Sequence, residues 1–440
     1  MNNLSFDIHC HIFTLRYALK EAKNMLRDMM MGTYPWHPPD VSDEIRLTAP
    51  DRAGIGDSLK QFLRQFFELI SASFGSEEEN LDFLLEEYSK AMPGSTWRVV
   101  PLMMDIFYML AYPLEKEQEA TRAGRAPLRS IKEAEFQKAW DDILDDLKKQ
   151  IEEHIRSTDS GDELARSKGV NHFLEAIDAE REVGRALTLE ADELRAEGTA
   201  EEYYHTEGYC FHLDNLVKLV ESRKGELYPF IAIDPRRPGI LDEIIGGGYI
   251  GTDGPFYGVK LYPRMGYHPQ SLSMDTLYDY CNRQQIPITF HCGKSGFPPG
   301  TEWKHADFGN PAHFEPILQN YPDLNINFAH LGSADPSYEW AHEIINLMNT
   351  YGTVYSDLSC YTDIENLKAI RKLWDDNPIL ESQLMFGTDF DVMYLTDQVT
   401  MASYFANFEE IFSKEELKLL MHENPMKFFG DIIAPPLGQD

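Results

Sequence analysis

Apolar and polar positions along the chain fall into two alternating rhythms. Eight short runs rich in branched and aromatic residues read as strands: FDIHCH at 6–11, RVVPLMMD at 98–105, YPFIAID at 228–234, YGVKLYP at 257–263, IPITFHCG at 286–293, INFAHLG at 326–332, VYSDLS at 354–359 and LMFGTDF at 384–390. Between the later runs lie segments with apolar residues at helical spacing: MDTLYDYCNRQ, AHFEPILQNY, EWAHEIINLMNTY and IENLKAIRKLW. Strands and helices in strict alternation imply parallel strands joined by crossover helices, and eight such strands close a barrel. The expected fold class is α/β, a (β/α)8 TIM barrel with a helical insertion subdomain.

The insertions are two long breaks in the rhythm. Residues 14–96 hold SLKQFLRQFFELI and EENLDFLLEEYSKAM, and residues 106–205 are rich in Glu, Lys, Arg and Ala. In the second break Phe136, Trp140, Ile143, Leu144, Leu147 and Ile151 are spaced as one helix face, with the charges on the solvated side. The barrel is thus expected from 1–13, 97–105 and 206–440, with 14–96 and 106–205 folding as helices near its mouth.

Composition narrows the function. A chain of 440 residues can bury a large core, and 43% hydrophobic residues suit a globular protein. A formal charge of -33 argues against nucleic acid, which requires clustered Lys and Arg. No apolar stretch reaches the roughly 18 to 20 residues of a membrane span, and no signal-like core precedes the first strand, so a cytoplasmic location and no membrane partner are expected. The five cysteines are scattered without Cys-x-x-Cys spacing, which excludes a disulfide framework and a thiolate zinc cluster.

Metal-competent residues end the strand-like runs. His9 and His11 lie two apart on the first run, on one side of an extended chain with Cys10 on the other. His291, His330 and Asp389 end the fifth, sixth and eighth runs. Strict alternation places Phe6, Ile8 and Cys10 outward and Asp7, His9 and His11 toward the barrel axis; it also places His291, Asp389 and Asp391 inward. In a parallel barrel the strand ends converge on one face, where chemistry is done. Imidazole plus carboxylate is a donor set for zinc, and for manganese or iron when water completes the shell.

This order of His-x-His, His, His and Asp resembles the amidohydrolase superfamily, and within it the branch called family 2. GVKLYP, FAHLG and FGTDF are similar to that branch in wording and spacing, over Asn3 to Ile12 and Tyr228 to Gly430. The resemblance implies a distorted barrel, with His9, His11, His291 and Asp389 as ligands of a first metal and His330 as a catalytic or second-metal histidine. Lys260, inward at the end of the fourth run, is the position where some superfamily members carry a carbamylated lysine bridging two metals; others work with one. One divalent ion, zinc before manganese or iron, is the expectation taken forward, with an unmodified Lys260 free to orient a substrate carboxylate or carbonyl.

Arg264, after the fourth run, is a candidate two-point anion clamp, and Tyr262 a pocket residue. Trp303, Lys304 and His305 are candidate lid residues, and Ser333 and Asp391 candidate supports for the ligands. The reaction these residues suit first is hydrolysis of an amide, ester or lactone bond in a small substrate by a metal-activated water. Asp389 would take the proton, and His330 would help stabilise the oxyanion. The alternative is a metal-dependent decarboxylase or hydratase of an aromatic or dicarboxylic acid. A catalytically silent binding barrel would have no reason to keep five buried polar groups that cost stability. The expected partner is a small molecule, with a homo-oligomer left open.

Overall fold

The computed structural model describes residues 4–12, 76–103, 105, a few positions between 138 and 178, and 207–433 apart from 236, 238, 252, 295, 297–305, 333–337 and 391–398. Each of the eight strand-like runs holds a strand: β1 (Leu4–Cys10), β2 (Thr96–Pro101), β3 (Phe230–Ala232), β4 (Gly258–Leu261), β5 (Ile288–Phe290), β6 (Ile326–Phe328), β7 (Val354–Asp357) and β8 (Leu384–Met385). Helices α1 (Glu77–Ala91), α2 (Glu207–Ser222), α3 (Ile240–Gly246), α4 (Asp275–Gln284), α5 (Glu315–Asn320), α6 (Glu339–Thr350), α7 (Ile364–Asp376), α8 (Leu380–Gln383), α9 (Met401–Ile411), α10 (Lys414–Lys418) and α11 (Asn424–Phe429) lie between or after them. No helix among the described residues is long and apolar enough to cross a membrane.

The strands are parallel and follow chain order. β3 to β8 form one sheet, and β1 pairs with β2 in another. Backbone contacts join the two sheets on both sides. Val99 and Leu102 bridge to Leu227 and Phe230, with Tyr228 N donating to Val99 O at 2.9 Å. On the other side Ile8 N donates to Phe386 O at 3.2 Å and Thr388 N to His9 O at 3.1 Å. Every strand therefore has a neighbour on each side, the arrangement of a (β/α)8 barrel.

One irregularity decides what the first strand presents. The register of β1 against β2 shifts between Asp7 and Cys10, and such a bulge moves every following side chain to the other face. Before it, Phe6 and Ile8 pack in one cluster with Phe230, Tyr355 and Met385 from β3, β7 and β8. Asp7 turns the other way, bonded to Tyr88 on α1 and to Thr388. After the bulge His9 faces Asp357 and Asp389. Strict alternation, which puts Phe6 and Ile8 outside and Asp7 inside, therefore fails for these three residues.

The chain forms two compact units, Met1–Phe13 with Glu77–Ile106 and His212–Asp440, and Thr14–Ser76 with Phe107–Phe211. Helix α1, expected within the first insertion, belongs to the unit that holds the strands. Its Leu81, Leu84 and Tyr88 are buried at helical spacing, and the Tyr88 ring lies 4.6 Å from Trp97 of β2. In the second unit Trp140 and Leu144 are helical and buried one turn apart while Asp145 is exposed, and Lys148 Nζ lies 2.8 Å from Asp178. The remaining expectations for 14–75 and 106–205 fall outside the described residues.

The strand starts are closed by aromatic packing. Phe428 and Phe429, at the end of α11, are fully buried. Phe428 stands 5.3 Å from Tyr355 and 6.2 Å from Phe230, and Phe429 stands 6.1 Å from Phe6. Edge and tilted contacts of this kind add to the burial of large rings. Removing one ring leaves a cavity that rigid strands cannot fill, so Phe428→Ala should cost about 3–5 kcal/mol. Urea unfolding followed by tryptophan fluorescence checks this, and a loss under about 1 kcal/mol would show that this end is not packed as described.

Candidate metal centre

Strand ends bring His9, His330 and Asp389 together: one donor atom from each lies within 4.8 Å of the others, and all three side chains are buried. His11 Nε2 lies 3.1 Å from Asp389 Oδ1, and His9 Nε2 lies 3.9 Å from the same oxygen. The His9 ring stands 4.8 Å from His330 and 5.4 Å from His11. Several backbone conformations here are uncommon for side-chain-bearing residues. His330, Cys360 and Asp389 have φ of 62°, 65° and 54°, a left-handed region that costs roughly 1–3 kcal/mol per residue and persists where surroundings impose it. Close approach also matters, because a Cβ on Gly387 would sit 2.8 Å from His9 Cβ.

Hydrogen bonds fix the tautomers. His11 Nδ1 lies 2.7 Å from Leu102 O, an acceptor only, so Nδ1 carries the proton. His9 Nδ1 donates to Asp357 Oδ2 at 3.2 Å. Ser359 Oγ gives its proton to Asp357 Oδ1, and so it receives one from His330 Nδ1 at 2.7 Å. His9 and His330, kept neutral by burial, therefore present bare Nε2 lone pairs, the form that binds a cation, and His11 turns its Nε2 toward Asp389.

The carboxylate completes the donor set. Asp389 Oδ2 accepts from Cys360 Sγ at 3.0 Å, whereas Oδ1 is buried and accepts no hydrogen bond, although His11 Nε2 is only 3.1 Å away. This orphaned oxygen, with His11 Nε2 at 3.1 Å and His9 Nε2 at 3.9 Å, fits a divalent ion with nitrogen and oxygen ligands.

Burial sets the charge states. It pushes the His9 imidazole down to about 4 against the pull of Asp357, and it lowers His330 as well. Burial alone would raise Asp389 and Asp357, but the surrounding histidines, with hydrogen bonds, hold both well below the usual carboxylate range. The Lys260 ammonium, 3% exposed, is pushed down to about 8 by burial despite Asp389 and Asp357.

Other expected residues stand around this group. His291 is buried, 5.1 Å from His330 and stacked at 4.1 Å on Tyr262. It is not in the converging trio, where His330 is found instead. Gly296, at φ 135°, covers His291, since a Cβ there would come within 2.6 Å of His291 Nε2 and Tyr262 Oη. Arg264 is fully buried and donates from Nη1 to Lys294 O at 3.1 Å. Trp303, Lys304, His305, Ser333 and Asp391 lie outside the described residues.

The sequence reading missed Asp357 and Ser359, although VYSDLS was among its strands. Asp357 accepts from His9 Nδ1, from Asn327 Nδ2 at 2.8 Å, from the backbone of His330 and Ser359 at 3.1 Å each, and from Ser359 Oγ. An acid at the end of the seventh run was the available signal. It also missed Arg237, whose Nε donates to Asp105 at 3.0 Å in a buried two-point pair just beyond β2 and β3.

A family model described as amidohydrolase matches residues 178–430, more than half of the chain. No curated protein sequence matches significantly. Among solved structures, a probable 2-pyrone-4,6-dicarboxylic acid hydrolase from Acinetobacter baumannii is similar at 14% identity and TM-score 0.38, over 49% of this chain and 78% of that one. A 2,6-dihydroxybenzoate decarboxylase from Rhizobium is similar at 14% identity and TM-score 0.37, over 51% of this chain and 77% of that one. A 5-carboxyvanillate decarboxylase from Novosphingobium aromaticivorans with bound manganese is similar at 14% identity and TM-score 0.38, over 50% of this chain and 70% of that one. The family match, together with His-x-His on β1 and Asp389 beyond β8, shows that the chain belongs to the amidohydrolase superfamily, in its family 2 branch, whose members are metal-dependent enzymes.

Proposed function

We propose that the protein is a metal-dependent hydrolase that cleaves an amide, ester or lactone bond in a small carboxylated substrate. The observation that carries the proposal is the buried Asp389 Oδ1, which accepts no hydrogen bond and faces the Nε2 atoms of His9 and His11. In this reading His9, His11, His291 and Asp389 hold one ion. Zinc is favoured because the donors are mostly imidazole. When bound, the ion supplies an acidified water and a polarised substrate oxygen.

The chain's own groups do the rest. Asp389 would take a proton from the attacking water through Oδ2, the oxygen turned away from the ion, and return it to the leaving atom. His330 suits proton exchange, because a charge on its ring would be balanced through Ser359 by the Asp357 carboxylate. Lys260 is a buried ammonium to which no hydrogen bond or ion pair is assigned among the described residues, and it fits a substrate carboxylate. The same cation favours a second reading, a metal-dependent decarboxylase or hydratase, in which the carboxylate it holds is the reacting group.

The division of roles has a direct measurement. His330→Asn should keep its metal, by elemental analysis, and lose at least about a hundredfold in turnover, the usual scale for a proton-transfer group. His291→Asn should lose the metal. Metal lost from the first and retained by the second would exchange their roles, and two equivalents in the wild type would replace one ion with two. Carbon dioxide released from carboxylated aromatics, with no cleavage of amides, esters or lactones, would decide for the lyase.

Acid stability tests the neutral histidines. The His9 imidazole titrates at about 4 when folded against the ordinary 6.5, so between those values the unfolded chain binds more protons. Stability is then complete above about 6.5 and falls as pH drops toward 4, by about 3 kcal/mol for one such group. Urea midpoints of metal-free protein should show this fall, and His9→Asn should flatten it. Equal slopes in the two proteins would show that His9 is not held neutral by burial.

A further inference from the structure

His9 lies where the pairing of β1 is interrupted, and Asp389 lies beyond the end of β8. The β1–β2 register breaks between Asp7 and Cys10, and the β7–β8 ladder pairs only Leu384 and Met385. His9 and Asp389 therefore stand on backbone that regular strand pairing does not fix. A useful metal site holds its donors to within about 0.5 Å.

One side chain spans both gaps. Asp7 is fully buried, and its Oδ1 accepts from the backbone N–H of His9 at 3.0 Å and of Thr388 at 3.1 Å. His9 O in turn accepts from the N–H of Thr388 at 3.1 Å and of Asp389 at 2.6 Å. The other oxygen, Oδ2, accepts from Thr388 Oγ1 at 2.6 Å and from Tyr88 Oη of α1. We infer that Asp7 is a positioning residue, whose Oδ1 clamps the backbone of β1 to that beyond β8 and so sets the distance between His9 and Asp389. The clamp rests on the metal-site reading for its function, though not for its existence.

The geometry separates this role from a simpler one, in which Asp7 only docks α1 through Tyr88. Asp7→Asn keeps an oxygen where the two N–H groups point and loses only one acceptor. Asp7→Ala removes the clamp. Tyr88→Phe removes the contact to α1 and leaves Oδ1 untouched. Zinc affinity by chelator competition should fall about 10–100-fold in Asp7→Ala, the usual scale for groups that orient ligands. It should stay within about threefold of wild type in Asp7→Asn and Tyr88→Phe, well short of that scale.

Amide hydrogen exchange in metal-free protein gives a second readout. Peptides containing His9 and Thr388 should exchange faster in Asp7→Ala than in Tyr88→Phe, and at the wild-type rate in Asp7→Asn. Should Asp7→Ala fail to fold, Asp7→Glu decides, because it keeps the carboxyl group but displaces it by one methylene. Weakened zinc binding in Asp7→Glu supports the clamp, and unchanged binding overturns it. The clamp is also overturned if Asp7→Ala binds and exchanges as wild type, if Asp7→Asn is as damaged as Asp7→Ala, or if Tyr88→Phe reproduces Asp7→Ala. Wild-type protein that takes up no metal removes the metal reading alone, and the exchange comparison still decides the clamp.

Discussion

The Asp357 carboxylate is the group on which the site is built. It is fully buried, and a carboxylate can be kept ionised there only if donors replace its lost water. Those donors come from His9, Asn327, His330 and Ser359. The requirement acts in both directions. By satisfying Asp357, His9 must place its proton on Nδ1, and Ser359 must spend its own proton on the carboxylate and take one from His330. Two Nε2 lone pairs are thereby aimed into the site with no histidine charged, which a cation centre needs before its ion arrives.

The barrel divides stability from chemistry. At the strand starts Phe6, Phe230, Tyr355, Phe428 and Phe429 pack as an apolar plug, each ring in contact with at least one other, and burial keeps the Tyr355 phenol neutral. At the strand ends the same walls carry buried imidazoles, carboxylates and an ammonium, several on left-handed backbone. Such groups and conformations lower stability where they stand. A fold can carry them only where another region supplies the surplus, and in this barrel the aromatic end supplies it. Residues that look indispensable in the sequence are thus of two kinds, and position along the strand separates them.

Much of this was legible in the chain, for a definite reason. Eight apolar runs and the segments between them have different periods, so strands, helices and parallel pairing follow from spacing. His9, His11, His330 and Asp389 could be found because strand ends converge in any such barrel. Phe6, Asp7 and Ile8 were misread because a bulge leaves no mark in a hydrophobic pattern, yet it inverts the faces before it. Asp357 went unassigned because one acid at a strand end looks like any other until its donors are known. The relative placement of His291 and His330 depends on a left-handed φ at His330, which spacing cannot encode. Helix α1 was placed with the insertion because the Tyr88–Asp7 contact joins residues far apart in sequence.

Charge closes the argument about substrate. The chain carries -33 overall, a field that repels anions at long range. Within the site burial keeps His9 and His330 neutral, the carboxylates of Asp357 and Asp389 are ionised, and Lys260 brings one ammonium. A divalent ion added to these groups leaves the interior net positive. Interactions between buried charges are screened far less than those at the surface, so the local sign governs binding once a molecule has entered. A small carboxylate suits such a site better than a neutral molecule of the same shape, and a second positive group on the substrate would lose that advantage. The acidic exterior then acts on rate of entry, while Lys260 and the metal-facing groups act on what is held.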